Sequence, residues 1–175
     1  MSGAPLIRAA SEADADAIAT VCTRASRVAY ADLVTGDYLD RVIAHFYCTD
    51  RIRQEIAPSP GWFGFVVALE GVEVVGVSGT GRSARRPEAC ELFALYVDPA
   101  AQRRGIGRRL VAQAVAVCEA ASARRLDVAV LPGNLAAIRF YEACGFTFAG
   151  ERPIYAPHGQ EGGPPVALVY ERAFV

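Results

Sequence analysis

The stretch 92–121 constrains the fold of this chain more than any other. Residues 92–97 form an unbroken apolar run that is too short for a helix and lacks polar alternation, which is typical of a strand buried on both faces. Pro99 has no N–H to donate and drives Asp98 into an extended or turn conformation, so the strand ends there. From Ile106 onward apolar residues recur at helical spacing, which predicts an amphipathic helix.

The turn between this strand and this helix has the sequence QRRGIG, with glycines at Gly105 and Gly107. Glycines let a ligand approach the backbone, and the first turn of a helix offers N–H groups that lack an internal partner. The helix dipole adds partial positive charge. Full charges come from Arg103, Arg104, Arg108 and Arg109. These features predict a site for a phosphate-bearing ligand, and a plain helix N-terminus with solvated arginines is the alternative.

Two other phosphate-binding motifs do not fit this turn. A P-loop requires a lysine, and every one of the 18 Lys and Arg residues here is an arginine. A dinucleotide fingerprint requires a third glycine and an acidic residue about 20 positions further on. That place is occupied by Ser122, Ala123 and Arg124. We therefore exclude P-loop and Rossmann sites.

The turn and its flanks resemble motif A of the GNAT superfamily of acyl-CoA-dependent N-acyltransferases, with the signature Q/R-x-x-G-x-G/A between a buried strand and a long helix. The segment LPGNLAAIRFYEACGF, from Leu131 to Phe146, resembles motif B. Together the matches cover roughly a third of the chain. The resemblance implies an α/β fold of the α+β three-layer type. It also implies a mixed central sheet with a splayed parallel strand pair and helices on both faces.

The length and composition of the chain limit the classes of protein to which it can belong. A chain of 175 residues with 53% hydrophobic content suits one domain, residues 1–175, with a real core. A net charge of −1 argues against a nucleic-acid binder, and no apolar run is long enough for a membrane span or signal peptide. Five scattered cysteines without metal-ligand spacing predict reduced thiols in the cytoplasm and no metal site. The abundance of Ala, Gly and Arg hints at a GC-rich bacterial genome.

The resemblance to GNAT proteins implies transfer of an acetyl group from acetyl-CoA to a primary amine of a small molecule or of a peptide or protein N-terminus. It places the pyrophosphate of CoA on the backbone of the turn, and the pantetheine arm along the strand. The implied cofactor-binding residues are Leu95, Tyr96, Val97, Gln102, Arg103, Arg104, Gly105, Ile106, Gly107, Arg108 and Asn134. Asn134 is equally suited to cap its helix. Family members of this size are often homodimers.

Two residues are candidates for the proton transfers. Tyr141 matches the family position of the general acid that protonates the departing thiolate, although its spacing also suits the core. Glu91 stands where some family members carry a base, and strand alternation predicts that it shares a face with Phe93, Leu95 and Val97. The alternative is that Glu91 marks the solvent-facing start of the strand. His45 and His158 lack motif support.

The sequence pattern of the N-terminal part predicts two helices, at about 12–30 and 38–57, with Asp37 as the cap of the second. The family resemblance implies that this helical hairpin lies beside the acceptor. Its aromatic residues Tyr30, Tyr38, Phe46 and Tyr47 either line the acceptor pocket or belong to the core. Its acidic residues either form a pocket for a cationic acceptor or are solvated; they are Glu12, Asp14, Asp37, Asp40, Asp50 and Glu55. In the family the loop 153–165 often flanks the acceptor.

Two other functions compete with an acetyltransferase of peptides or small amines. A non-catalytic acyl-CoA-binding or sensory module on the same fold would retain the cofactor contacts without the acid and base. An antibiotic-modifying acetyltransferase would share the whole machinery. The presence of both Tyr141 and Glu91 favours an enzyme.

Overall fold

The computed structural model of the chain describes residues 4–154, 159 and 161–174. Its strands are β1 (Leu6–Ala9), β2 (Trp62–Glu70), β3 (Glu73–Arg82), β4 (Ala89–Val97), β5 (Arg125–Val130), β6 (Thr147–Pro153) and β7 (Val166–Ala173). They form one seven-stranded sheet in the order β1-β2-β3-β4-β5-β7-β6. Neighbouring strands are antiparallel except β4 and β5, which run parallel.

Helices cover both faces of the sheet. They are α1 (Ala15–Tyr30), α2 (Gly36–Phe46), α3 (Thr49–Gln54), α4 (Ile106–Ala120) and α5 (Leu135–Ala143). Apolar residues of α1 and α3 pack on one face of the sheet, and those of α4 and α5 pack on the other. This arrangement confirms the predicted mixed sheet with helices on both faces. Among the helices in the described part of the chain, none combines the length and apolarity of a membrane span.

The second helix of the hairpin differs from its prediction. A single helix over 38–57 is wrong, because α2 ends at Phe46 and Cys48 adopts an extended conformation (φ −72°, ψ 145°) before α3 begins. The break lets the Tyr47 side chain meet Tyr96 of the sheet, with the two hydroxyl oxygens 2.6 Å apart. The predicted cap at Asp37 is also wrong, because the Thr35 hydroxyl accepts the backbone N–H of Tyr38.

The parallel strands separate partway along their length. β4 and β5 are in register from Ala89 opposite Arg125 to Leu92 opposite Val128, whereas β4 continues to Val97. Beyond Leu92, the edge of β4 that faces away from β3 has no strand partner within the described residues. The splay implied by the family resemblance is therefore present, and it leaves a slot between the two strands.

A bulge in β4 changes which side chains face that slot. Gly79 pairs with Ala94 and Thr80 with Leu92, so Phe93 is an extra residue opposite β3. A bulge of this kind interrupts the alternation of faces. Glu91 therefore lies on the face of Ala94 and Tyr96, and its predicted place on the face of Leu95 and Val97 is wrong. The packing of the neighbouring side chains agrees with this assignment. Ala94 and Tyr96 pack towards α1, whereas Leu95 packs on the opposite side of the sheet.

Candidate active site

The glycine-rich turn is open at its tip. Arg103 (φ 61°) and Gly105 (φ 79°) both adopt left-handed backbone conformations, which glycine tolerates without steric cost. A Cβ built on Gly105 would meet nothing within 4 Å. α4 begins directly after it, so the first N–H groups of a 15-residue helix lie at an accessible backbone. This turn fits a phosphate group.

The side chains around the turn have different roles. Arg104 donates to Glu70 (3.0 Å) and to the Ala100 carbonyl (2.9 Å), so part of its charge is neutralised. Gln102 donates to the Val97 carbonyl at 3.3 Å and ties the turn to the end of β4. The other residues of the turn that were predicted to bind the cofactor differ in their exposure to solvent. Arg103 and Arg108 are exposed, whereas Ile106 is buried beneath the turn.

Gly107 lies where α4 packs against α5, in contrast to the open surroundings of Gly105. A Cβ built on it would lie 3.0 Å from Cζ of Phe140 on α5. That distance is tighter than an ordinary contact, so a side chain at position 107 would require the Phe140 ring to shift. The cofactor contact predicted for Gly107 stays a prediction, because its backbone N–H can face a ligand even where a Cβ would be crowded.

A cavity of about 700 Å³ lies between the splayed strand ends and the helices α1 to α3. Tyr30, Tyr38, Phe46 and Tyr47 all line it, as do Leu92 and Ala94 of β4 and Val130 at the end of β5. The interpretation of the four aromatic residues as pocket residues therefore agrees with the structure. The cavity is large enough for a small ligand and the reactive end of a cofactor.

The described part of the loop 153–165 contacts this cavity. Ile154 lines it, and the Gly162 carbonyl accepts the backbone N–H of Thr35 at 2.9 Å. Gly163 lies against the Tyr38 ring so closely that a Cβ there would come within 2.4 Å of Cε2. His158, which lacks motif support as a base, lies outside the described residues.

Glu91 is buried, which rules out a solvent-facing strand start. Only 6% of its surface is exposed, and one of its oxygens (Oε1) accepts a hydrogen bond from Arg152 of β6. Glu91 and Arg152 line the large cavity, and they also line a second, polar pocket of about 120 Å³. Glu91 and Arg152 therefore lie where these two spaces meet.

Asp127 is a buried acid that sequence reasoning missed. It stands opposite Glu91 in the parallel register, is 7% exposed, and lines the small polar pocket. Burial raises the pKa of Asp127. The negative charges of Glu171 and Glu91 also raise it, whereas the positive charge of Arg86 lowers it. Its Oδ1 has no hydrogen-bond partner among the described residues. The signal was available, because Asp127 is the one charge between apolar residues of β5.

Tyr141 lies in the core between α5 and the sheet. Its ring contacts Phe140 and Phe146, with centroids 5.2 and 5.4 Å apart. Burial raises the pKa of Tyr141 well above its usual value, with smaller contributions from Tyr30 and Cys144. The hydroxyl therefore stays protonated at neutral pH, as a general acid must. Tyr141 is not among the described residues that line the large cavity. It lies close enough to Tyr30, a residue that does line the cavity, for Tyr30 to raise its pKa.

Asn134 caps its helix, which is one of the two roles that the sequence left open. Its side-chain oxygen accepts the Ala137 N–H at 3.2 Å at the start of α5. Its contact with the cofactor stays a prediction, in which the amide nitrogen of the same side chain would donate to the ligand.

The tyrosines on the cavity wall form a polar group that sequence reasoning also missed. The Tyr47 and Tyr96 hydroxyls share a 2.6 Å hydrogen bond in which either can donate. Burial raises the pKa of both, and the nearby Tyr96 together with burial raises the pKa of Tyr30. All three hydroxyls therefore stay neutral and act as hydrogen-bonding groups.

Of the two alternatives for the acids of the helical hairpin, the described structure does not show the acidic pocket. Of the six candidate acids only Glu55 lines the cavity, and it is paired with Arg51 at 2.9 Å. Asp14, Asp40 and Asp50 pair with Arg8, Arg27 and Arg53 elsewhere. His45 contacts Arg51 through Nε2 at 2.7 Å and is not among the described lining residues. In the described residues no group of three or more His, Cys, Asp or Glu is placed to hold a metal ion.

Comparison with known proteins adds to this geometry. The model of the Acetyltransferase (GNAT) family matches residues 29–146. The [Ribosomal protein bS18]-alanine N-acetyltransferase of Salmonella typhimurium is 41% identical over 69 residues, which are 39% of this chain and 47% of that protein. N-alpha-acetyltransferase RimI of Mycobacterium tuberculosis is 36% identical over 92 residues, 52% of this chain and 56% of that protein. The matches thus span about half the length of these curated relatives.

A solved structure resembles the whole fold. The PaiA N-acetyltransferase of Thermoplasma acidophilum, crystallised in complex with coenzyme A, superposes with a TM-score of 0.82 at 19% identity. The superposition covers 98% of this chain and 100% of that chain. At this identity the likeness concerns the fold alone.

Proposed function

The chain belongs to the GNAT family of acetyltransferases, and from that premise we propose that it transfers acetyl from acetyl-CoA to a primary amine by direct attack. The observation that carries the proposal is a juxtaposition. An open helix N-terminus at Gly105 and an unpaired edge of β4 lie on one side of the splay, and a cavity with a buried carboxylate lies on the other. The named activities of the relatives support acetyl transfer to amines.

The residues that would hold the cofactor follow from this geometry. The backbone from Arg103 to Arg108 would bind the pyrophosphate, because α4 presents free N–H groups and its dipole there. The unpaired edge of β4 at 95–97 would hydrogen-bond the pantetheine arm as an added strand does. When bound, the thioester supplies an activated acetyl group and a thiolate leaving group. The complex of the PaiA relative with coenzyme A supports this assignment.

Two side chains of the protein would carry out the proton transfers of the reaction. Glu91 would accept the proton that the amine loses as its nitrogen bonds to the acetyl carbon, directly or through a water. Tyr141, whose hydroxyl is protonated at neutral pH, would donate a proton to the sulfur as the carbon–sulfur bond breaks. For Glu91 to act as the base, Arg152 must loosen its hold on the carboxylate when the amine arrives.

Two properties accompany the proposed activity. The five free thiols support a cytoplasmic setting. We also propose that residues 1–175 act as one domain and form a homodimer, which light scattering after size exclusion tests.

The test is an acceptor screen with acetyl-CoA that detects the released thiol, run beside calorimetry of acetyl-CoA binding. We expect binding and amine-dependent thiol release. Binding without release from any amine would favour the non-catalytic acyl-CoA-binding module. Release only with aminoglycoside or streptothricin-type amines would favour an antibiotic-modifying enzyme. Absence of binding would contradict the proposal.

A further inference from the structure

The large cavity is unusually rich in aromatic rings. The chain has 16 Phe, Tyr and Trp residues, and eight of them line this one cavity. Besides the four from the helical hairpin, they include Trp62, Phe65, Phe93 and Tyr96. Trp62 stacks edge-on against Phe65 and tilts against Phe93, with centroids 5.1 and 6.1 Å apart. Half of the aromatic residues of the chain therefore line this cavity, and Trp62, Phe65 and Phe93 form one cluster of rings on its wall.

The charges on the cavity wall cancel. Its described charged residues are two arginines and two glutamates, and each arginine is bonded to one of the glutamates. Arg51 pairs with Glu55, and Arg152 pairs with Glu91. The other acids of the helical hairpin lie outside the described wall. A wall of this kind offers no net negative field to a ligand with several ammonium groups.

Polar groups without charge are confined to a few places on this wall. The hydroxyls of Tyr47 and Tyr96 bond to each other at 2.6 Å. Tyr30 and Tyr38 add two further hydroxyls, and Gln54 and Ser59 lie towards the exposed side. An apolar body would bury its surface against the rings, and a single amine would reach Glu91 beside the splay. An extended peptide would instead require backbone partners along its length, which aromatic side chains do not supply.

We propose that the acceptor is a small monoamine with an aromatic or bulky apolar body, as distinct from a polyamine or a peptide N-terminus. This inference rests on the proposed acetyltransferase function and deepens it. The aromatic wall selects the body of the acceptor, and Glu91 receives its amine.

The first experiment compares kcat/KM for four amines with saturating acetyl-CoA: phenethylamine, ethylamine, spermidine and a hexapeptide that begins with alanine. Burial of one aromatic ring predicts a preference for phenethylamine over ethylamine of about 10- to 100-fold. We expect spermidine and the peptide to fall below phenethylamine. A higher kcat/KM for spermidine or the peptide would overturn the inference while leaving the acetyltransferase function intact. Turnover of none of the amines would instead count against the function.

Two pairs of variants separate the contributions of charge and shape. Gln54→Glu adds one negative charge to the wall and should raise the spermidine-to-phenethylamine ratio about two- to fivefold. Gln113→Glu, on the exposed surface of α4, is the matched control and should leave the ratio unchanged. Equal effects of both substitutions would show that the wall charge does not select the acceptor.

Val42→Trp fills part of the cavity from α2. It should lower kcat/KM for phenethylamine by about tenfold or more, with a smaller effect on ethylamine, because only the larger amine needs that space. Ala44→Trp, on the exposed face of the same helix, controls for the added indole. Retention of full phenethylamine activity by a folded Val42→Trp protein would place the acceptor elsewhere and overturn the inference.

Discussion

Leu92 and Val128 form the last in-register pair of the parallel strands β4 and β5, although β4 continues to Val97. Everything assigned to the reaction lies around this point. The open turn at Gly105 follows the free end of β4, and Glu91 precedes the last pair by one residue.

Gly105→Glu should weaken acetyl-CoA binding about tenfold or more, because it places bulk and negative charge at the open turn where phosphate would sit. Calorimetry measures the affinity, which should also fall as salt is raised. Gly71→Glu is a matched control, since Gly71 also has a positive φ (62°) and open space around it. Equal affinities of the two variants would remove the turn as the binding site. Gly107→Glu is a poor test, because it would displace Phe140.

Tyr141→Phe should lower kcat roughly 10- to 1000-fold with little change in acetyl-CoA affinity, because the ring still packs but no proton can be donated. Tyr170→Phe is the control, since Tyr170 is equally buried in the same core cluster. Single-turnover kinetics isolates the chemical step. Wild-type rates in Tyr141→Phe would leave this residue with a packing role alone.

Glu91→Gln should lower turnover and move the rise of rate with pH towards the pKa of the free amine, since the chain would no longer accept the proton. Acetyl-CoA affinity should be unchanged. Glu171→Gln breaks a comparable pair with Arg86 without lining the described cavity, so it controls for the loss of an ion pair. Superposition of the Glu91→Gln and wild-type pH–rate profiles would mean that the base is elsewhere.

Asp14→Asn should destabilise the fold by about 1–3 kcal/mol at pH 7. Asp14 accepts hydrogen bonds from Arg8 (2.7 and 2.9 Å) and from the Ser11 N–H (2.7 Å). Arg8, with help from Ser11, holds the pKa of Asp14 well below its usual value. A depressed carboxyl pKa stabilises the fold above the unfolded pKa of about 3.9, and this contribution is lost as pH falls through that value and below.

Urea denaturation at several pH values measures this effect. The difference between wild type and Asp14→Asn should shrink below about pH 4. Asp50→Asn should have almost no effect at any pH, because the Asp50 side chain is 90% exposed and its bond to Arg53 is long at 3.4 Å. A difference for Asp14→Asn that is independent of pH would exclude the ion pair as its cause.

Much of the frame was predictable because it depends on local patterns. The apolar run of β4, the periodicity of α4 and the Asn134 cap each follow from residues close together in the sequence, and the structure has all three. The family resemblance supplied the splay of β4 and β5. Packing between distant residues was less accessible. Gly107 has the pattern of a ligand-binding glycine, and its contact with Phe140 appears only when α4 meets α5.

Two local irregularities account for the main errors. A bulge at Phe93 depends on how β3 pairs with β4, so simple alternation placed Glu91 on the wrong face. The break at Tyr47 brings its hydroxyl to Tyr96 of the sheet, and the periodicity of 38–57 does not reveal this contact. Both irregularities shape the cavity, which explains why the site was harder to predict than the fold.

Direct attack would transfer acetyl from acetyl-CoA to the amine with no acetylated form of the protein. Its most direct test follows carbon-13-labelled acetyl-CoA with phenethylamine by mass spectrometry of both the amine and the intact protein. We predict that the label appears in the amide of the amine while the protein stays unlabelled throughout turnover. A labelled protein that forms and decays at the rate of turnover would contradict direct attack, and bound acetyl-CoA with no labelled amine would contradict the transfer itself.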